Sequence, residues 1–83
     1  MKEALGLIEA KGYTTAVSAL DAASKAADVA LVGMDKIVGM EGGVGVNVQI
    51  AGEVAAVEAA IEAAVEAGNR VGMIYSSKVI PGP

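Results

Sequence analysis

The chain has no cysteine, no histidine, no tryptophan and no phenylalanine, and its only aromatics are Tyr13 and Tyr75. Without cysteine there is no disulfide, no thiolate metal ligand and no iron–sulfur ligation. That composition suits a reducing cytoplasm, which is the expected location. Without histidine the commonest general base is gone, and without cysteine the thiol nucleophile goes too. Two isolated tyrosines do not make a stacking platform for bases. Positive charge is also scarce. Six Lys and Arg stand against ten Asp and Glu, a net charge of -4. A nucleic-acid footprint needs clustered Lys and Arg, and so does docking on anionic lipid. The apolar runs are broken by glycine or charge, well short of the roughly 20 residues of a spanning helix. Met1-Lys2-Glu3-Ala4-Leu5 lacks a basic segment followed by an apolar one, so no secretory signal is expected.

What is present is apolar bulk in a small chain. The 83 residues are 54% hydrophobic, with a mean hydropathy of +0.56. One domain, residues 1–83, is expected at this length. A domain of this size buries only about 60–65% of the surface its unfolded chain exposes. With no membrane span to take it, the apolar surplus is expected to meet other copies of the chain.

Periodicity divides the chain into six segments. Ala4 to Ala10 predicts a strand, with Leu5 and Leu7 on one face and Gly6 and Ile8 on the other. Lys11-Gly12-Tyr13 reads as a turn, and Thr14 or Thr15 can cap the helix that follows to about Ala27. That helix carries an Ala-rich stripe with Val17 and Leu20. Val29 to Val32, continuing towards Ile37, predicts a strand buried on both faces, and Val38 to Gly43 a Gly-rich loop. Val44, Val46, Val48 and Ile50 alternate with Gly45, Asn47, Gln49 and Ala51, a clean strand pattern. Gly52-Glu53 opens a second helix to about Ala67, with Val54, Val57, Ile61 and Val65 on one face. Gly68-Asn69 ends it, Val71 to Ile80 is the last strand, and Pro81-Gly82-Pro83 stops that strand. The order β-α-β-β-α-β predicts an α+β fold. It is a split βαβ, ferredoxin-like antiparallel sheet with both helices on one face.

Three stretches in this order carry a family resemblance: Ala4-Leu5-Gly6-Leu7-Ile8-Glu9-Ala10-Lys11-Gly12, Ala19-Leu20-Asp21-Ala22-Ala23-Ser24-Lys25-Ala26-Ala27 and Leu31-Val32-Gly33-Met34-Asp35-Lys36-Ile37. With the ending Val79-Ile80-Pro81-Gly82-Pro83, they resemble the single-domain, hexamer-forming shell proteins of bacterial microcompartments. The resemblance implies a flat homohexamer that tiles edge to edge into the wall of a protein organelle around metabolic enzymes. It implies that the loop after the second strand, Val38, Gly39, Met40, Glu41, Gly42 and Gly43, lines a central pore for small metabolites. Lys25 falls on the family's edge lysine, and Pro81, Gly82 and Pro83 fall at the hexamer–hexamer edge. Two departures stand out. The loop is longer than the family's usual Gly-small-Gly core, and Gly82 occupies the place of an edge arginine. The cysteine-held iron–sulfur cluster of some relatives has no ligand here, and no cofactor or metal is expected.

The residues themselves leave several readings open. Gly39, Gly42 and Gly43 permit positive φ and close approach to another chain or a symmetry axis. Glu41 is then either one member of a carboxylate ring that attracts cations, or a solvated hairpin tip. A phosphate cradle fits poorly, since no lysine follows in P-loop spacing. Glu58, Glu62 and Glu66 form a helical ladder that is either a solubilising face or a cation site. Tyr13 is a packing or intersubunit residue, and Met34, Met40 and Met73 are gap-fillers, with Met40 a soft constriction if the loop lines a pore. The expected role is structural and non-enzymatic. The main rival is a regulatory module that binds an effector at a subunit cleft. An acylphosphatase-type enzyme would need an arginine near Lys11-Gly12-Tyr13, but Arg70 is the only arginine.

Overall fold

The computed structural model describes residues 3–40 and 43–82. Its elements are β1 (Ala4–Lys11), α1 (Gly12–Ala26), β2 (Ala30–Met40), β3 (Gly43–Gly52), α2 (Val54–Val71) and β4 (Ile74–Ile80). The strands form one sheet in the order β2-β3-β1-β4, and every neighbouring pair is antiparallel. This is the predicted split βαβ arrangement, with the helices segregated to one face of the sheet.

Alternation along the central strands sets that face. Ala4, Gly6, Ile8 and Ala10 of β1 are buried, paired with Gly52, Ile50, Val48 and Val46 of β3. Against them pack Ala16, Ala19 and Ala23 of α1 and Val57, Ala60, Ile61 and Ala64 of α2. The buried α2 positions recur at helical spacing, which gives one apolar stripe. Alanine dominates where helices meet each other and the sheet, so the layers sit close, and the shortest dimension of the domain is 15 Å. Gly6 is where the approach is tightest. A Cβ there would lie 2.8 Å from Ile61 Cδ1 and 2.9 Å from Ile50 Cγ1.

Several local expectations are corrected. Lys11-Gly12-Tyr13 is no separate turn: Lys11 ends β1, and Gly12, at φ +80°, starts α1 directly. The helix then has no side-chain cap from Thr14 or Thr15, and Thr15 is buried instead. Val17 points outward, because the stripe that meets the core is Thr15, Ala16, Ala19 and Ala23. Helix α2 runs past Gly68-Asn69 to Val71. The Gly72 N–H donates to the Gly68 carbonyl at 2.8 Å, and Asn69 Oδ1 accepts from the Ile74 N–H at 3.0 Å. That side-chain acceptor holds the start of β4, which therefore begins at Ile74 rather than Val71.

The larger correction concerns β2. It was expected to be buried on both faces, yet it is an outer strand. Helix α1 lies mainly over β3 and β1, and α2 over β1 and β4, so β2 falls largely outside helix cover. Leu31 and Val32 are 51% and 56% exposed. A continuous apolar run is therefore an uncovered edge here, not an inner strand.

Candidate assembly surfaces

The chain crosses the domain six times, and this sorts the candidate residues into two poles. β1 runs from the first pole to the second, α1 returns, and β2 crosses again. The β2–β3 hairpin therefore turns at the second pole. β3 returns, α2 crosses, and β4 comes back antiparallel to β1, with Ile80 opposite Leu5. The end of α1, with Lys25, and the end of β4, with Pro81 and Gly82, thus share the first pole.

At the second pole, the expected Gly-rich loop is mostly strand. Val38, Gly39 and Met40 belong to β2, Gly43 belongs to β3, and Met40 pairs with Gly43. The register shifts between Ile37 and Met40, a bulge that lets pairing continue through a glycine-containing stretch. Glu41 and Gly42 lie outside the described residues. The last β1 partner of β3 is Gly45, opposite Lys11, so Val44 and Gly43 extend beyond it. At about 3.4 Å per residue, the paired hairpin reaches about 7 Å past the end of β1. The arrangement is a two-stranded finger reaching beyond the plate.

At the first pole, Lys25 sits in the last turn of α1, where a cation complements the helix dipole. Its Nζ donates to Asp21 Oδ2 at 2.9 Å, and both side chains are largely exposed. A solvent-facing i,i+4 pair of this kind holds Lys25 weakly and leaves it available to a neighbour. Pro81 and Gly82 line an open groove of about 710 Å³ with Glu3, Ala4, Glu53, Val54 and Ala55. Pro83 lies outside the described residues.

The other candidates remain on the surface. Glu58, Glu62 and Glu66 are exposed, and Glu66 Oε1 accepts from Arg70 Nη1 at 2.9 Å. Among the described residues, no three acidic side chains gather closely enough to hold a metal ion. No helix there is long and apolar enough to cross a membrane. Tyr13 is 52% exposed and so does not pack in the core, and Met73 is exposed rather than filling a gap. Met34 packs against the core as expected.

Sequence reasoning missed the open face of the sheet as a patterned surface. Asp35, Asn47, Glu9 and Ser76 form one cross-strand row on it. Ser76 Oγ donates to Glu9 Oε1 at 2.6 Å. The alternation of β3 was the available signal, since it sends Asn47 and Gln49 to the face opposite Val46 and Val48.

The family comparison decides what this plate with a finger belongs to. A model of the BMC domain matches residues 4–83. The chain belongs to the BMC domain family of bacterial microcompartment shell proteins. It is 45% identical over 82 residues to the bacterial microcompartment shell protein PduA of Citrobacter freundii, covering 99% of this chain and 84% of the relative. It is 43% identical over 81 residues to the shell protein EutM of Escherichia coli (strain K12), covering 98% of this chain and 79% of the relative. A crystal structure of a microcompartment protein from Desulfitobacterium hafniense superposes with a TM-score of 0.84 at 26% identity. The match covers 98% of this BMC chain and 42% of that longer one. These relatives do not favour the regulatory-module reading.

Proposed function

We propose that this BMC chain is a non-enzymatic, single-domain subunit of a bacterial microcompartment shell in the cytoplasm. Six copies form a flat ring. Rings tile with each other or with other shell proteins into a wall around enzymes, and small metabolites cross at the ring centre. One observation carries this reading: the fold sends the β2–β3 hairpin to one pole and Lys25, Pro81 and Gly82 to the other. A ring-forming plate needs that polarity, with pore residues at the axis and lateral contacts at the rim. The thin plate supports it, and so does the apolar edge left uncovered on β2.

In this reading Val38, Gly39, Met40, Glu41, Gly42 and Gly43 stand around the axis, and Glu41 repeats once per subunit. A carboxylate ring at a constriction concentrates negative potential, favouring cations and opposing anions. At the rim, Lys25 reaches a neighbouring ring with its long stem over apolar surface and its three ammonium donors on facing carbonyls. Gly82 removes a rigid bidentate donor from that rim, so tiling leans on Lys25. Negative-stain microscopy of the concentrated protein tests the proposal. Extended sheets or tubes of hexagonal repeat are expected. Uniform isolated particles at every concentration, with no lateral order, refute unaided tiling.

A further inference from the structure

Resting on the shell reading, we propose that the β2–β3 fingers of six copies pair side by side around the axis as a short β-collar, whose backbone sets the width of the opening. The observation behind it is a loss of support along the hairpin. As far as Gly45, β3 is held on its second side by β1, through Lys11. Beyond that point Val44 and Gly43 keep only β2 beside them, with Met40 opposite Gly43. β2 is an outer strand, so Val38, Gly39 and Met40 have no described partner on their far side. The finger is thus a two-stranded ribbon with a free edge on each side. Such a ribbon is marginal in water by itself, and each free edge leaves alternate N–H and C=O groups without a backbone partner.

Rotation about a shared axis supplies the missing partners. Within each finger β2 runs outward and β3 returns. Going round the axis, β3 of one finger meets β2 of the next. Direction alternates at every boundary, so each seam is antiparallel. Closure leaves no free edge, as in a barrel. Strand spacing decides the form. Two strands about 4.8 Å apart make a finger about 10 Å across, so six fingers lying flat cannot meet at one point. Twelve strands at that spacing close a circle of about 9 Å radius when upright, and about 12 Å at the usual barrel tilt. To stand upright the ribbon must bend out of the plate. The register shift between Ile37 and Met40 lies at the base of the finger, and a bulge bends the strand that carries it. Gly39, Gly43 and Gly45 stand in the same stretch, and glycine within a strand permits a tight bend of this kind.

Because the chain has no cysteine, one substitution gives one thiol per copy. In a six-fold ring, equivalent atoms of adjacent copies lie as far apart as each lies from the axis. Met40→Cys therefore places its Cα atoms about 9–12 Å apart, beyond the roughly 7 Å limit of a disulfide. Oxidised, this variant should stay monomeric on a non-reducing gel. Treated with a short bis-maleimide, it should give a ladder up to the hexamer. Glu62→Cys, on the exposed face of α2, should give none. Abundant disulfide dimer from Met40→Cys would mean that the fingers converge instead of ringing the axis. No ladder from rings verified by native mass spectrometry would place the fingers apart. Either result overturns the collar. Hydrogen exchange of the unsubstituted ring reads the pairing itself. The amides of Val38, Gly39, Met40, Gly43 and Val44, apart from one left over at the bulge, should exchange about tenfold or more slower than open chain. If about half of them exchange at the open-chain rate in intact rings, the fingers stand unpaired and the proposal is wrong. If the unsubstituted chain forms no ring, the shell reading itself fails.

Discussion

Gly6→Ala is predicted to destabilise the domain although alanine is the better strand residue. Gly6 lies in the middle of β1, facing the helices. The added Cβ would sit 2.8 Å from Ile61 Cδ1, 2.9 Å from Ile61 Cγ1 and 2.9 Å from Ile50 Cγ1. Both isoleucines are buried, so neither has open space to rotate into. Forcing a methyl into a packed core costs about 1–3 kcal/mol. The smaller unfolded-state entropy of alanine returns about 0.4–1 kcal/mol. Mid-range values leave a net loss of about 1.3 kcal/mol, which in a domain of this size lowers Tm by roughly 5–10 °C. Urea unfolding followed by far-UV circular dichroism measures it, at fixed protomer concentration because assembly stabilises the fold. Ile61→Val removes the Cδ1 atom in conflict and should recover part of the loss. The double-mutant cycle should therefore show a coupling above about 0.5 kcal/mol. A Gly6→Ala variant as stable as the parent, or more so, would refute the claim that this close approach sets the spacing between sheet and α2.

Further predictions concern the start of α1, the rim and the hairpin. Gly12→Ala meets no neighbouring atom but must hold φ near +80°, so it should cost about 1–2 kcal/mol in the same urea assay through backbone strain alone. Asp21→Ala should change stability by less than about 0.5 kcal/mol and leave sheets intact, since it removes only an exposed i,i+4 pair. Lys25→Ala should be equally mild in stability yet abolish sheets under the microscope, and Gly82→Arg should lower the concentration at which sheets appear. Glu41→Gln should weaken binding or passage of divalent cations through assembled rings in a vesicle or tracer assay. Unchanged cation behaviour would remove Glu41 from the pore.

The central strands and the helices were legible because their patterns match their environment. β1 and β3 alternate with period two, having one face against the helices and one open. Val57 and Ile61 mark the buried face of α2 at helical spacing, helped by Ala60 and Ala64. β2 was misjudged because a continuous apolar run has the same composition whether it is buried inside one chain or offered to another. Leu31 and Val32 differ from Val46 and Val48 only in what lies across from them. Val17 and Val54 were misjudged for a related reason. In α1 the buried stripe is mostly alanine, which leaves Val17 free to face outward, and in α2 Val54 stands at the first helical position, outside the stripe of Val57, Ala60, Ile61 and Ala64. At the hairpin, three glycines suggested an open loop, yet glycine also tolerates a bulge, and pairing runs on to Met40 and Gly43. The two poles could be drawn from the element order alone. Which pole is proposed to carry lateral contacts rests on Lys25, Pro81 and Gly82, which are informative only against the family pattern.

The most direct test of the account is the native mass of the assembled, purified chain. With a protomer mass of 8.2 kDa, a closed species of six protomers that persists on dilution is expected. A trimer or a monomer at working concentrations would contradict it. That result would leave the hairpin without an axis to line and the β2 edge without the partner its apolar surface requires.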